Sequence, residues 1–287
     1  RVGDFLLTAI LIKAIKRSDS SSYITVIASE KNIDYIKTFK MVDSVILLKK
    51  NIIEKFKLIN NLKKDHYKAI IIHDEKKRSS FISLLLKTNN KITSNIHKHD
   101  SYIDNIKKIL ANLNFNFENS DLDILDNRKF NYFKNLTNDY IMLHFDEKWI
   151  HDEYIQNYTN IEPDKEQLID FLNLLSNKTN KKIVITTGLK ISNLLNDVFK
   201  NNFNSNILYI KNSSFLDIEN IVHDCKLLIS CHGAISHLAA AKNIKQIDII
   251  EGKKSLFYKK WTEHFRNYQS LNRINFNSLA KDIINLI

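Results

Sequence analysis

Short runs rich in β-branched residues alternate with runs of helical spacing along most of this 287-residue chain. The runs predicted as strands are 23–28, 44–48, 69–73 and 91–95 in the first half, and 140–144, 182–187, 207–210, 227–231 and 246–250 in the second. The predicted helices are 4–16, 32–39, 52–64, 76–86, 102–113, 165–176, 192–199, 214–223, 235–242 and, at the tail, 278–286. Strands that alternate with helices are typical of an α/β protein with a parallel sheet and helices on both faces.

The alternation is interrupted once, by a stretch without clear periodicity that is rich in Asn, Asp and Phe. We therefore predict two doubly wound, Rossmann-like domains, 1–125 and 140–287, which are joined by a linker at 126–139 and face a cleft. A doubly wound domain usually starts with a strand, whereas this chain starts on the segment that leads into its first predicted helix. A first strand is therefore expected just upstream of Arg1.

The chain contains only four glycines and one proline, where average usage would give roughly 20 and roughly 14. Gly188, Gly233 and Gly252 each follow a predicted strand, and Gly3 precedes Asp4 at the start of the first predicted helix. Ligands of open α/β sheets bind beyond the carboxyl ends of the strands, where a glycine lets a ligand approach the backbone. These positions indicate where a binding site is expected.

The strongest candidate motif is the strand, turn and small-residue helix that runs from Ser230 to Ala241. Free N–H groups at the start of that helix, together with the helix dipole, suit an anion such as the diphosphate of a nucleotide sugar. The residues that could contact it are His232, Gly233, Ala234, Ser236 and His237. An ordinary strand-to-helix turn followed by a closely packed, alanine-rich helix accounts for the same pattern.

Three further sites are candidates for chemistry. Asp4 opens the first helix and could act as a general base, or only as a helix cap that stabilises by about 1 kcal/mol. Lys148 follows the strand 140–144 and could neutralise a phosphate, although its acidic neighbours also fit an exposed, salt-bridged loop. Thr187 and Gly188 form a loop placed to pass beneath a nucleoside.

The formal net charge of +11 has three interpretations. These are a compositional bias toward lysine, a basic face turned toward an anionic membrane or lipid-linked substrate, and nucleic-acid binding. The lysines are spread along the chain without an arginine-rich arm or an aromatic RNA-binding motif, so no nucleic-acid partner is expected. The sequence has no apolar run of the about 20 residues that a membrane-spanning helix needs.

The two cysteines, Cys225 and Cys231, do not have the spacing of a zinc site, and a disulfide between them would be strained. This usage fits a reducing compartment, so we expect a cytoplasmic location and no bound metal.

Two segments resemble glycosyltransferase family 9, the heptosyltransferases of lipopolysaccharide core assembly. Residues 1–8, Arg-Val-Gly-Asp-Phe-Leu-Leu-Thr, match the family's GD(V/F)LLT-type segment, and residues 236–241, Ser-His-Leu-Ala-Ala-Ala, match its (M/S)HLAAA segment. The two segments lie in the family's order, each at the head of a helix. The family's preceding D-T-G turn falls on His232-Gly233-Ala234, so the resemblance does not carry over ADP-heptose as the donor.

The resemblance implies a GT-B fold, with the acceptor on the N-terminal domain and the nucleotide sugar on the C-terminal domain. It implies an inverting, metal-independent glycosyltransferase without a cofactor, in which Asp4 is the base and Gly3 and Thr8 bind the acceptor. The donor-binding residues would be Lys148, Thr187, Gly188, His232, Gly233, Ala234, Ser236 and His237.

The expected partners are a nucleotide-sugar donor and a lipopolysaccharide, lipid-linked or other surface-glycan acceptor, with peripheral contact to an anionic inner membrane. Two alternatives stay open at this point. One is a GT-B enzyme of the nucleotide-sugar 2-epimerase kind, and the other is a non-catalytic GT-B protein that binds a glycan.

Overall fold

The computed structural model describes residues 2–73, 76–94, 100–125, 128, 136, 139–154, 156–188, 190–200 and 204–287. The chain divides into two compact units, Arg1–Ile124 and Leu125–Ile287. Apart from residues 128, 136 and 139, the predicted linker 126–139 lies outside the described residues.

The first unit follows the predicted alternation of helices and strands. Its helices are α1 (Val2–Ser18), α2 (Ile33–Ile36), α3 (Ile52–Leu62), α4 (Lys77–Leu84) and α5 (Tyr102–Asn112). Its strands are β1 (Thr25–Ala28), β2 (Ser44–Leu47), β3 (His66–Tyr67), β4 (Ile70–Ile72), β5 (Lys87–Thr88) and β6 (Lys91–Thr93). A 3-10 turn at Asn119–Leu122 ends the unit. Residue 95, the end of the predicted strand 91–95, lies outside the described residues.

The described strands of this unit pair in parallel, β1 with β2, β3 with β5, and β4 with β6. His66 pairs with Lys87 and Ile70 with Lys91, so both of the latter pairs have the same register. They are therefore one long parallel pair with a short break. The predicted strands 69–73 and 91–95 cover β4 and β6, whereas β3 and β5 were not predicted.

Helix α1 is buried on most of its faces, as expected for a helix that is apolar nearly all round. It starts at Val2, two residues before the predicted helix 4–16, so Gly3 and Asp4 lie within its first turn. An acidic side chain in the first turn favours helix there, because it complements the positive end of the helix dipole. Among the described residues, no helix has both the length and the apolar character needed to cross a membrane.

The second unit also alternates, and its strands form one six-stranded parallel sheet in the order β12-β11-β10-β7-β8-β9. Its strands are β7 (Tyr140–His144), β8 (Lys182–Thr186), β9 (Ile207–Ile210), β10 (Leu227–Cys231), β11 (Gln246–Ile250) and β12 (Tyr268–Asn272). Its helices are α6 (Lys165–Thr179), α7 (Asn193–Val198), α8 (Phe215–Asp224), α9 (Ala234–Ala241), α10 (Ser255–Thr262) and α11 (Phe276–Asn285).

Counted from β7, this strand order is 6-5-4-1-2-3, the order of a doubly wound Rossmann sheet. β7, β10 and β11 are buried along their whole length, as expected for central strands of a parallel sheet covered on both faces. The predicted α/β fold class is confirmed. Helix α10 and strand β12 were not predicted, because β12 is a largely exposed and polar edge strand, Tyr-Gln-Ser-Leu-Asn.

Candidate functional site

The strand order of the second unit reverses between β7 and β10. In an open α/β sheet, the crevice beyond the carboxyl ends of the strands at such a topological switch point is where ligands bind. β7 is followed there by residues 145–149, and β10 by His232 and Gly233, which lead into α9. The candidate site of this unit is therefore the edge formed by these two segments.

Lys148 and Gly233 lie side by side at the switch point. A Cβ atom placed on Gly233 would stand 2.9 Å from Lys148 Nζ and 3.3 Å from its Cε, so the ammonium group lies against the backbone of the turn. The φ angle of Gly233 is −179°, which any residue adopts. Glycine is favoured here because it leaves room for Lys148. The expected contact of Gly233 with a phosphate stays a prediction.

The charge of Lys148 is secured by Asp146, whose carboxylate forms an ion pair with its ammonium group. Burial by itself lowers the pKa of Lys148, but the neighbouring Asp146 outweighs burial, so that pKa lies above its ordinary value. Asp146 also accepts a hydrogen bond from the Lys148 backbone N–H at 3.1 Å. The turn after β10 is thus bordered by a fixed positive charge at neutral pH.

Asp248, in the middle of β11, was not identified from the sequence. It is fully buried, and its carboxylate accepts hydrogen bonds from His232 Nδ1 at 2.6 Å, Ser236 Oγ at 2.8 Å and Tyr268 O–H at 3.2 Å. The Gly233 N–H in turn donates to Ser236 Oγ at 3.2 Å. One carboxylate on the neighbouring strand therefore holds both flanks of the turn, and the only sequence signal was an acidic residue inside an apolar strand.

The start of α9 supplies further donors. The first N–H groups of an α-helix have no acceptor within the helix, and the dipole makes that end positive. His232, Gly233 and Ala234 are partly exposed, whereas Ser236 is buried. The accessible part of the turn is therefore the side chain of His232 and the backbone of His232 and Gly233, just before the helix.

His237 is, like Ser236 and Thr187, a buried member of the predicted donor set. Its ring is 6% exposed and packs against the rings of Trp261, Phe265 and His232. Burial holds the pKa of His237 well below its ordinary value, so the ring is neutral. Its surroundings are those of a buried aromatic cluster behind the turn, and its role in donor binding stays a prediction.

Two buried polar atoms at the ends of β7 and β8 have no hydrogen-bond partner among the described residues, Glu147 Oε2 and Thr187 Oγ1. A Cβ atom on Gly188 would stand 2.1 Å from Glu147 Oε2, so Gly188 gives that carboxylate its place. Buried polar atoms in native proteins are almost always partnered, so these two atoms at neighbouring strand ends are notable features of the site. Thr187 and Gly188 were predicted to contribute, whereas Glu147 was not.

Arg273, which follows the unpredicted β12, forms a hydrogen bond with the backbone of Lys148. Its Nη2 donates to the Lys148 carbonyl at 2.9 Å and its Nε to the Thr159 carbonyl at 3.0 Å. Its guanidinium lies 5.4 Å from the centroid of the Tyr158 ring. Lys148 therefore sits on a backbone fixed by a buried arginine, which no local sequence pattern marks.

The residues predicted for the acceptor lie on the first two turns of α1 in the first unit. Gly3 is buried, and Asp4 and Thr8 are half-buried. Thr8 Oγ1 donates to the Asp4 carbonyl at 2.9 Å and lies 3.0 Å from His73 Nδ1. His73, directly after β4, is thus brought to the same place, although nothing in the sequence linked it to α1.

Among the described residues, no three His, Cys, Asp or Glu side chains are grouped so as to hold a metal ion. The thiol of Cys231 is buried at the end of β10, and burial raises its pKa to about 12.

No family model matches the sequence, and no curated protein matches it. Solved structures do match. The E. coli heptosyltransferase WaaC with ADP is 12% identical, with a TM-score of 0.73 over 100% of this chain and 97% of that chain. The glycosyl transferase family 9 structure from Veillonella parvula DSM 2008 is 13% identical, with a TM-score of 0.72 over 100% and 88% of the two chains.

An epimerase also matches, at a lower score. UDP-GlcNAc 2-epimerase from Methanocaldococcus jannaschii is 10% identical, with a TM-score of 0.56 over 99% of this chain and 89% of that chain. Likeness at these identities concerns the fold. It confirms the fold expected from the two family 9-like segments, and this chain has the GT-B fold of two Rossmann-like units that the heptosyltransferases share.

Proposed function

We propose that this chain is a glycosyltransferase that takes its sugar from a nucleotide-sugar donor bound at the switch point of the second unit. The observation that carries the proposal is the placement of the Lys148 ammonium against the Gly233 turn, at the edge where a Rossmann sheet binds its ligand. A diphosphate there would meet the lysine charge and the first N–H groups of α9.

The remaining polar groups of the site fit the rest of such a donor. Asp248 accepts from Nδ1 of His232, which leaves Nε2 as the ring nitrogen for a ligand. The unpartnered Glu147 Oε2 and Thr187 Oγ1 would accept from and donate to sugar or ribose hydroxyls. In this proposal His232 contacts the donor, and Asp248 is a positioning residue that acts through it.

For the transfer step we propose that Asp4 is the general base. It would take the proton of an acceptor hydroxyl as that oxygen attacks the anomeric carbon, while the bond to the diphosphate breaks and its electron pair stays on the leaving oxygen. Attack opposite to the leaving group inverts the anomeric configuration. Lys148 and the α9 N–H groups supply the positive charge that a divalent cation supplies in metal-dependent enzymes.

The proposed acceptor is a lipopolysaccharide or another lipid-linked surface glycan, and the proposed location is the cytoplasmic face of an anionic membrane. Two observations support this: the family 9-like segments at residues 1–8 and 236–241, and the fold likeness to a heptosyltransferase with ADP. The sugar is left open, because His232 stands where the family has an aspartate.

Transfer from a panel of nucleotide sugars to lipopolysaccharide core acceptors, in the presence of EDTA, tests the proposal. We expect transfer with inverted configuration by the unaltered chain, and loss of transfer with retained nucleotide binding in Asp4→Asn. Asp34→Asn, which changes an exposed acid on α2, is the matched control and should transfer normally. Full activity of Asp4→Asn would remove Asp4 as the base, and strict dependence on a divalent metal would contradict the mechanism.

A second candidate function is nucleotide-sugar 2-epimerisation. It is favoured by the fold likeness to UDP-GlcNAc 2-epimerase and by the unpartnered Glu147 carboxylate beside the proposed donor site. Conversion of a nucleotide sugar to its epimer without any acceptor, with uptake of solvent deuterium at the epimerised carbon, would establish it. Binding of a glycan without turnover of any nucleotide sugar would instead indicate a non-catalytic protein.

A further inference from the structure

The first turns of α3 hold three large apolar side chains in solvent. Ile52, Ile53 and Phe56 are 67%, 61% and 53% exposed. Residues three and four apart are neighbours on a helix, so Phe56 lies next to both isoleucines. The residues that pack the helix into the unit, Leu58, Ile59 and Leu62, follow in its later turns. The exposed cluster therefore lies at the amino-terminal end of the helix, before the residues that pack it into the unit.

Basic residues surround this apolar face. Lys49 and Lys50 precede the helix, and Lys55 and Lys57 lie within it. The single acid of the segment, Glu54, is paired with Lys49 at 3.3 Å and with Lys57 at 2.9 Å. The segment therefore has four positive charges and one negative charge around its exposed apolar side chains.

The backbone at the start of α3 is suited to an apolar environment. The Asn51 side chain accepts a hydrogen bond from the Ile53 N–H at 2.8 Å, and the Asn51 carbonyl accepts from the Lys55 N–H at 3.1 Å. Moving an unpaired backbone N–H out of water is costly, and here the cap removes that cost for the N–H of Ile53. The apolar side chains can leave water without exposing an unsatisfied amide at Ile53.

We propose that this α3 surface, formed by Lys49, Lys50, Ile52, Ile53, Lys55, Phe56 and Lys57, docks the chain onto an anionic lipid bilayer. Apolar side chains rimmed by lysines are the pattern of helices that lie at a membrane interface. The apolar groups enter the boundary between headgroups and acyl chains, and the lysines pair with anionic headgroups. A lipid-linked acceptor, as proposed above, requires contact with a membrane, and this inference identifies the surface that makes the contact. It rests on the proposed function only for the purpose of that contact.

Vesicle co-sedimentation tests the docking directly and needs no substrate. The probes are vesicles of phosphatidylcholine alone and vesicles that contain about a third phosphatidylglycerol. We expect the unaltered chain to bind the anionic vesicles at least about tenfold more tightly, and added salt to weaken that binding. Lys50→Gln/Lys55→Gln should weaken it about 25-fold, because each lysine near an anionic surface contributes about fivefold. These two lysines leave both ion pairs of Glu54 intact.

Removal of the apolar groups is the second arm. Ile53→Ser/Phe56→Ser changes exposed side chains, so its thermal unfolding should match that of the unaltered chain while vesicle binding falls at least about tenfold. The matched control is Leu174→Ser combined with Lys165→Gln and Lys281→Gln, which removes one exposed leucine and two exposed lysines from the second unit. The control should bind anionic vesicles like the unaltered chain.

Three results would overturn the proposal: equal binding to neutral and anionic vesicles, unchanged binding by both α3 variants, or equal loss in the control. Sedimentation velocity measures whether the chain self-associates in solution. A dimer in solution that Ile53→Ser/Phe56→Ser dissociates, with no vesicle binding by the unaltered chain, would assign the α3 surface to a second copy instead. Sugar transfer to a detergent-solubilised acceptor is unaffected by these outcomes, so failure of docking and failure of the proposed function are distinguishable.

Discussion

Asp248 Oδ2 accepts a hydrogen bond from His232 Nδ1 at 2.6 Å, which links a fully buried strand residue to a partly exposed ring at the mouth of the site. Because the carboxylate accepts, Nδ1 bears a hydrogen. The tautomer and the direction of the ring are therefore set from β11, the strand beside β10, which ends just before His232. The predictions below start from this contact and from the lysine beside it.

Replacing Asp248 with Asn should weaken binding of nucleoside diphosphates about tenfold and lower the stability of the second unit by about 2 kcal/mol. The charged acceptor of three hydrogen bonds is lost, and hydrogen bonds to a charged group contribute about 1.5–3 kcal/mol. Calorimetry measures the binding, and urea unfolding measures the stability. Long-range nitrogen–proton NMR of His232 reports the positioning role, because the Nδ1-protonated form should no longer dominate. An unchanged ring signal together with weakened binding would mean that Asp248 acts in another way.

Lys148→Met should weaken diphosphate binding about 10- to 100-fold, because a charge-assisted hydrogen bond is lost. The same change leaves the buried Asp146 carboxylate without its cation, which typically costs about 3–5 kcal/mol of stability. The double variant Lys148→Met/Asp146→Asn should regain most of that stability without regaining affinity. Thermal unfolding and nucleotide titration of both variants check this. Recovery of affinity in the double variant would show that Lys148 acts on the fold and not on the ligand.

Gly233→Ala should leave stability within about 1 kcal/mol of the unaltered chain, because its φ angle suits any residue and the nearest atom is the end of a flexible lysine. The new methyl group must move Lys148 Nζ, so diphosphate binding should weaken severalfold. Gly188→Ala is the comparison, since its Cβ would meet both Glu147 and the buried Asp146 at short distances. We expect it to unfold at a lower temperature than Gly233→Ala. The reverse order in a melting experiment would contradict these contacts.

Acid should destabilise the second unit through His144, which is buried, and His264, which is partly buried. Burial lowers the pKa of His144 and of His264 to about 4, from an ordinary value of 6.5. Between pH 6.5 and pH 4 the unfolded chain therefore binds more protons than the folded one, and stability falls as the pH falls through that window. Each ring contributes on the order of 3 kcal/mol of this loss. Urea unfolding of the unaltered chain and of His264→Phe measures it, and the variant should show a shallower decline. Parallel declines would exclude His264 as a source.

The sequence predicted the core strands of the second unit well and the site within it only in part. β7, β10 and β11 have the predicted bounds, because a strand buried on both faces must be a short, continuous apolar run. The turn at Gly233 and the lysine at 148 were each predicted, but their contact was not, because nothing local brings together residues 85 positions apart.

Asp248 and Arg273 were missed for a related reason. One is a lone acid in an apolar strand, and the other is an arginine after a polar edge strand. Local sequence does not reveal their roles, because their hydrogen-bond partners, His232 and Lys148, follow other strands. In the first unit, the contact of Thr8 with His73 joins α1 to the end of β4, again across a long stretch of chain. Local periodicity predicts the helices and strands, whereas these contacts depend on how the helices and strands are arranged in the tertiary structure.

Helix α1 is held at its carboxyl-terminal end by residues made much later. Arg17 donates to the fully buried Asp121 at 2.9 Å, 104 positions along the chain, and Lys13 donates to the Asp123 carbonyl at 2.7 Å. Contacts this distant in sequence must close a long loop before they stabilise anything, and synthesis proceeds from the amino terminus. Helix α1 leaves the ribosome before residues 119–123 and is therefore among the last parts of its unit to be secured, so its apolar surface must be shielded until those residues arrive.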